Sequence, residues 1–474
     1  MKYEIVIGLE THVELSTESK IFCSCGGHSA AKEPNDCVCP ACSGMPGMLP
    51  VMNKRVVELA VTAGLMLNCN INRYTTFDKK NYYYPDLPCA YQITQLNHPI
   101  CTDGVVTIKT SEGARDVRIK QIHMEEDAGK LVHGGNSSYV DFNRTSVPLI
   151  EIVTQPDFRS PEEVVTYLNK LKSMFRLGGI SECEEGAMRC DINISVRPEG
   201  SEEYGVRTEI KNMSSFEAID KAIRYESQRH IDALEFETEE LVQETRRFDD
   251  ASGKTFAMRN KETEADYRYF PDANLMPIII DDEWLEAIKA AKPEAADEKA
   301  EQYREYGIAD ADIDMLLQDN KISKLLDDTI EKGCNPKEAA GWIITDCAGV
   351  LRKAGKSLGD LSVTADKLSV IIKLVEEGKI NRNAGKKILI AVVEEDVDPM
   401  AYCKEMGLDR KVDSSALEVI IDKVIAENPR AIEDFRSGKT KAKQALFGAC
   451  MKELKGAGDP AVINELLSKK LENI

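Results

Sequence analysis

The sequence predicts an α+β protein, an antiparallel sheet with helices on one face followed by a wholly helical region. Three observations predict it. Five short stretches alternate apolar with polar residues, the period of a strand with one buried face. Over residues 1 to about 292 the strand and helix patterns do not repeat as β-α-β, which argues against a doubly wound parallel sheet. From about Asp282 the strand patterns stop, and Glu, Lys and Ala dominate around Ala287 to Glu305.

The first strand places Ile5, Ile7, Leu9, Thr11 and Val13 on one side and Glu10, His12 and Glu14 on the other. His123, Glu125 and Asp127 share a face by the same rule, Glu151 lies in a third stretch, and Asp191, Asn193, Ser195 and Arg197 oppose Ile192, Ile194 and Val196 in a fourth. Glu209 belongs to the fifth. Like charges opposite one another destabilise a sheet, so something positive is expected among these acids. Carboxylates with one histidine are also ligands of the kind that hold Mg²⁺ against phosphates, although a plain solvated face needs the same alternation.

Between the strands, Ser160 with Glu163 and Pro161 reads as a capped helix start, continued by the stripe Val164, Val165, Leu168, Leu171 and Phe175. Ser214 with Glu217 predicts a second start, ahead of Ile219 and Ile223. Two Gly-Lys segments, at Gly378 and Gly438, lead into amphipathic helices, and a break is expected near Met406.

Composition bounds the function. The chain has 474 residues, 42% hydrophobic and 30% charged, and a net charge of −20. The length suggests about three domains. The charge argues against nonspecific coating of nucleic acid, because Lys and Arg supply that affinity. The last segment departs from this trend, with 12 basic against 11 acidic residues from Met406 onward. Its stretch Arg436, Lys439, Lys441 and Lys443 is equally readable as a phosphate contact or a solvated helix face. No stretch approaches a membrane span, and no export signal opens the chain, so a cytoplasmic protein with reduced thiols is expected.

Cys23 and Cys25, followed by Cys39 and Cys42, make two close pairs of the type that gives a structural Zn²⁺ four thiolates, with Cys37 as a fifth candidate. The segment Phe77–Asp86 interleaves Lys79 and Lys80 with Tyr82, Tyr83 and Tyr84, as surfaces that grip phosphate and stack bases do, and as ordinary strands also do. Gly438-Lys439-Thr440 is not a phosphate loop, because position 433 is Glu where that pattern needs Gly. No Gly-x-Ser-x-Gly nucleophile motif is present. ATP, if bound, is expected to be held through metal and sheet side chains.

Several of these segments together, Val6–Leu15, Lys80–Asp86, His123–Lys130, Pro148–Val153, Met188–Ser195, Gln243–Phe248 and Asp266–Asp272, resemble the GatB family, the B subunits of the glutamyl/aspartyl-tRNA amidotransferases. The similarity continues to the C-terminus, and the chain is too short for the large inserted domain of the related archaeal protein. The resemblance implies a carbon-nitrogen ligase of translation. It would convert misacylated Glu-tRNA(Gln) and/or Asp-tRNA(Asn) to the amide with ATP, through an acyl phosphate displaced by ammonia. The ammonia would come from the glutaminase, or A, subunit, and the small C subunit would complete a heterotrimer. The resemblance also implies a cradle domain over 1–292 like that of glutamine synthetase, a helical domain over 293–405 and a tRNA-contacting tail over 406–474. By matching position it implies Mg²⁺ ligands at Glu10, His12, Glu125 and Glu151, with Asp191 and Glu209 on the same catalytic face. Lys80 would lie near the ammonia path, and Lys79 and Lys80 would contact tRNA together with Arg436, Lys439, Lys441 and Lys443. Cys23, Cys25, Cys39 and Cys42 would hold a scaffolding zinc. Two rival readings are a ligase acting on a free amino acid and a zinc-bearing RNA-binding subunit without chemistry.

Overall fold

The computed structural model describes every residue except 1, 28–30, 32, 185, 214, 259–265, 294–295, 318, 354, 357, 359–360, 409–413, 437–439, 454–459 and 473–474. Contacts divide the chain into two units, Met1–Ala296 and Asp297–Ile474. The first boundary thus falls four residues beyond the expected 292, and residues 297–474 group as a single unit without a division at 405.

The strands of the first unit are β1 (Tyr3–Glu14), β2 (Asn70–Ile71), β3 (Tyr74–Thr75), β4 (Asp78–Asn81), β5 (Tyr91–Thr94), β6 (Cys101–Thr110), β7 (Gly113–Glu126) and β8 (Lys130–Gly134). They continue with β9 (Ser137–Asp141), β10 (Pro148–Thr154), β11 (Met188–Pro198), β12 (Thr208–Met213), β13 (Glu244–Asp249), β14 (Lys254–Ala257), β15 (Phe270–Pro271) and β16 (Ile278–Ile279). Nine form one sheet in the order β14-β13-β12-β11-β1-β10-β7-β6-β2. Its neighbours pair antiparallel except β12 and β13, which run parallel. The first strand is therefore central, with the other acid-bearing strands on either side of it.

Alternation decides which face is dry. Ile7, Leu9 and Val13 of β1, Ile122 and Met124 of β7, Ile150 and Ile152 of β10, and Ile192 and Ile194 of β11 join one buried cluster. Helices α1 (Lys54–Met66), α2 (Pro161–Leu177) and α3 (Phe216–Phe236) cover it, contributing Val57 and Val61, then Val164, Leu168, Leu171 and Phe175, then Ile219 and Ile223. Each such side chain stabilises the fold by about 1.5–3 kcal/mol. The start of α2 is as expected: Ser160 accepts from the Glu163 amide, and Pro161 occupies the first turn, where no amide partner is required. The start of α3 is one residue later than expected. Ser215, not Ser214, accepts from the Ala218 amide, while Ser214 lies outside the described residues. Serines at adjacent positions offer the same capping oxygen, and only the backbone decides between them. The last helix of this unit, α4 (Asp282–Ala291), begins where strand patterns stop, capped by Asp281.

Among its described residues the second unit has helices and no strand. A π-helical turn, Trp342–Cys347, buries Trp342 and Asp346, and Asp346 pairs with Arg382 at 3.0 Å and Lys386 at 2.7 Å. Helix Arg382–Glu395 follows the first Gly-Lys segment and is capped by Asn381, and helix Thr440–Glu453 follows the second. Helix Pro399–Glu405 stops before Gly407, whose φ of 61° is the left-handed conformation glycine adopts without strain. Beyond it Leu417, Ile421, Val424, Leu446, Cys450, Ile463, Leu467 and Leu471 form a hydrophobic cluster of their own.

Candidate active site

The polar face of the central strands carries the predicted acids, with Glu125 and Asp191 buried and Glu10, Glu151 and Glu209 half-buried, and register explains how they meet. His12 of β1 lies opposite Glu151 of β10, which lies opposite His123 of β7. Glu10 lies opposite Asp191 of β11, and Asn193 opposite Glu209 of β12. Directly opposed residues stand close enough for their side chains to interact, so two separate groups result. His12, Glu125 and Glu151 have ligand atoms all within 4.8 Å of one another, as do Glu10, Asp191 and Glu209. The structure thus assigns Glu10 to the second group rather than to the other three expected Mg²⁺ ligands, and it gives Asp191 and Glu209 a defined partner.

In the first group His12 Nε2 is 3.3 Å from Glu151 and 3.6 Å from Glu125, and His123 Nε2 is 3.1 Å and 3.7 Å from the same two carboxylates. Burial opposes the charged imidazoles, but hydrogen bonding and attraction to the two acids win, holding His12 up to about 9 and His123 up to about 10. Burial also opposes ionisation of Glu151, yet the two histidines hold its carboxyl well below the usual range. Without a cation the two acids thus favour protonated imidazoles, and a metal bound by His12 would take that proton's place, since an imidazole coordinates only in its neutral form. In the second group Lys211 supplies the expected positive charge, at 2.6 Å from Glu209 and 3.1 Å from Asp191. Glu10 accepts from Asn193 Nδ2 at 3.0 Å, but burial and the repulsion of Glu151, Asp191 and Glu209 push its carboxyl upward.

His123 and Lys211 are the functional-face residues the site assignment missed. Both were accessible by alternation, since His123 is two residues from Glu125 and Lys211 two from Glu209. Alternation also separates Glu125 from its neighbour. Glu126 turns to the opposite face, accepts from the Ile93 amide and Ser146 Oγ, and is held up to about 7 by burial. Asp127 is engaged by Arg189 at 2.8 Å and Arg144 at 3.4 Å and belongs to neither acid group.

The two lysines of β4 divide in the same way. Burial opposes the charge of Lys80, but Glu125 and Glu151 outweigh it and raise its pKa, and its ammonium sits 4.9 Å over the Tyr267 ring. Lys79 has other partners. Its side chain lies 4.3 Å over the Tyr91 ring and is 3.8 Å from the buried Asp272, partners different from those of Lys80, as alternation along β4 requires. In the tail, Lys439 and the side chains of Arg436 and Lys441 lie outside the described residues, and Lys443 is half-buried on helix Thr440–Glu453.

The donor set of the first group suits a hard divalent ion: two carboxylates and one imidazole fill about half of an octahedron and leave positions for phosphate and water. The four cysteines pass a sharper test. Their sulfurs lie within 4.8 Å of one another, with Cys42 to Cys39 at 3.9 Å and Cys42 to Cys25 at 4.0 Å. Tetrahedral zinc with bonds of about 2.3 Å separates its sulfurs by about 3.8 Å, so the thiols already stand at metal-binding spacing. Hydrogen bonding to Cys23, reinforced by Lys20, holds the Cys42 thiol well below its usual range, and burial pushes Cys25 upward. Cys37 is not in the group: its amide donates to Asn143, and its carbonyl accepts from Lys20.

Comparison with known proteins bears directly on this arrangement. A family model described as the GatB/GatE catalytic domain matches residues 5–286, and one described as the GatB domain matches residues 324–471. The chain is 45% identical to the aspartyl/glutamyl-tRNA(Asn/Gln) amidotransferase B subunit of Carboxydothermus hydrogenoformans and 44% identical to that of Thermodesulfovibrio yellowstonii, over the full length of both chains in each case. The B subunit of Clostridium beijerinckii is similar at 45%, again over both full lengths. With both halves matched and the relatives covered end to end, the chain belongs to the GatB family of tRNA-dependent amidotransferase subunits.

Proposed function

We propose that the wet sheet face activates the side-chain carboxylate of a misacylated Glu-tRNA(Gln) or Asp-tRNA(Asn) for amidation, as a carbon-nitrogen ligase of translation. The observation that carries this reading is the register that gathers His12, Glu125 and Glu151 into one three-donor group beside Lys80. A carboxylate is a poor electrophile. Its oxygen attacks the γ-phosphorus of ATP and ADP leaves; ammonia then attacks the acyl carbon and phosphate leaves.

His12, Glu125 and Glu151 would hold Mg²⁺, which when bound neutralises phosphate charge. Lys80 adds a fixed positive charge on the same side, where the transferring phosphoryl group is most negative. Glu10, Asp191 and Glu209 with Lys211 make a second polar cradle for nucleotide or a further cation. A zinc held by Cys23, Cys25, Cys39 and Cys42 would have four thiolates and no open position, so its part would be scaffolding. Ammonia is expected from the partner glutaminase, the A subunit, with the small C subunit in the same cytoplasmic assembly. The tail beyond residue 406 is the segment assigned to the tRNA body, supported by its local basic balance. Among the described residues no helix is long and apolar enough to cross a membrane.

The test is amidation of each misacylated tRNA by the chain with its partner subunits, ATP and glutamine, with free glutamate as a control. Glu125→Gln is expected to keep tRNA binding and lose amidation by about 100-fold or more, since one metal-held charge contributes several kcal/mol. Full activity in that variant, or equal activity on free glutamate without RNA, would refute the proposal.

A further inference from the structure

Lys20 is a lysine in a place where lysines are rarely found. Its side chain is wholly buried, 0% exposed. Its ammonium has three protons and three acceptors: the Cys37 carbonyl at 2.9 Å, the Phe142 carbonyl at 3.3 Å and Cys42 Sγ at 3.5 Å. Among the described residues no carboxylate pairs with it. A buried cation without a counter-charge is costly, so the negative partner has to be found among these three contacts. Two are neutral carbonyls, and the third is a cysteine of the four-sulfur group.

Four thiolates around Zn²⁺ carry a net charge of about −2, which a buried site must balance. Around Cys42 Sγ stand one backbone donor, the Cys39 amide at 3.2 Å, and one full positive charge, Lys20. Lys20 also reaches across to another segment. The loop beyond the first cysteine pair is stitched to the end of the β8–β9 hairpin, with the Asn35 amide donating to Asp141 at 3.0 Å and the Cys37 amide to Asn143 at 2.8 Å. The bond to the Phe142 carbonyl adds a further tie, made by the same ammonium that touches the sulfur.

We propose that Lys20 is the counter-charge of the metal–thiolate cluster, a positioning residue that strengthens metal binding and fastens the cysteine loop to the Asp141–Asn143 segment. The proposal rests on reading Cys23, Cys25, Cys39 and Cys42 as a zinc site. Residues that hydrogen-bond to metal ligands without touching the metal are worth about 10–100-fold in metal affinity.

The experiment compares the native full chain with Lys20→Met, which keeps an unbranched apolar stem one atom shorter and removes the charge. Zn²⁺ affinity is read by competition with a chromogenic chelator, and the thiolate charge-transfer band by Co²⁺ substitution. A fall in affinity of about 10–100-fold with a displaced cobalt band is the expected result. Affinity within twofold and an unmoved band overturn the role of Lys20 while leaving the zinc site standing. A native chain that binds no stoichiometric zinc overturns both. If Lys20→Met does not fold, Lys20→Arg carries the test, because it retains the charge. Zinc affinity within a few fold of native supports the counter-charge, and a loss of 100-fold overturns it.

Discussion

Glu226 on α3 gives a stability prediction that is independent of any metal. Its side chain is wholly buried, and it accepts from Thr255 Oγ1 at 2.6 Å and Arg229 Nε at 3.0 Å, with His230 at 3.3 Å and Arg246 at 3.6 Å. Burial alone would raise its pKa, but the hydrogen bonds from His230, Arg229 and Thr255 outweigh it and lower the group from 4.5 to about 2. A carboxyl at 4.5 unfolded and about 2 folded stabilises the native state by about 3 kcal/mol at neutral pH. The sign follows from the depressed value: the contribution is complete above 4.5 and is lost as pH falls from there toward 2. Glu226→Gln keeps the volume and removes the charge. It is therefore expected to cost about 3 kcal/mol at pH 7, with the gap from native closing at acid pH. Urea unfolding in a Trp342→Phe background makes Trp284, on α4, the only tryptophan reporter of the first unit. A difference below about 1 kcal/mol at pH 7, or one unchanged at pH 3, would refute the ion-pair account, because neither fits a charge that stabilises only when ionised.

Two further outcomes follow from the same geometry. Lys80→Met is expected to lower amidation turnover by about 10-fold or more through its lost charge beside Glu125, whereas Lys79→Met leaves the buried Asp272 without its cation and lowers stability in urea by about 1–3 kcal/mol with turnover retained; equal effects of the two on turnover would contradict their assignment to opposite faces. In the second unit, a Cβ at Gly385 would stand 2.8 Å from the Trp342 ring and 3.1 Å from Val375, so Gly385→Ala is expected to destabilise that unit by about 1–3 kcal/mol in calorimetry, and an unchanged transition would show that the ring can yield.

The period-2 pattern was enough to choose the wet face, because side-chain alternation is a local property of an extended chain. It separated Glu125 from Glu126 and put His12 and Glu10 on one face, while the period-3.6 stripe Val164, Leu168, Leu171 and Phe175 marked a helix that packs on the dry side. Cysteine spacing likewise singled out two close pairs, Cys23 with Cys25 and Cys39 with Cys42, but left Cys37 as a fifth candidate that only the folded loop sets apart. Motif resemblance carried the rest of the functional reading, and the full-length similarity to amidotransferase B subunits agrees with it.

Strand order and register were not legible, because they are set by pairings between residues far apart in sequence. Only the sheet puts β1 between β10 and β11, which divides one acidic face into a histidine-bearing group and a lysine-bearing group. Tertiary packing also decided which cation serves which acid: Lys211 for Asp191 and Glu209, Arg189 and Arg144 for Asp127, Lys79 for Asp272. The same holds for Lys20, undistinguished in the sequence and meaningful only once Phe142, more than a hundred residues away, closes over it. A sequence states which groups each strand offers to a face; the energy of a buried charge depends on what lies across from it, and that is fixed only when the strands and loops are brought together.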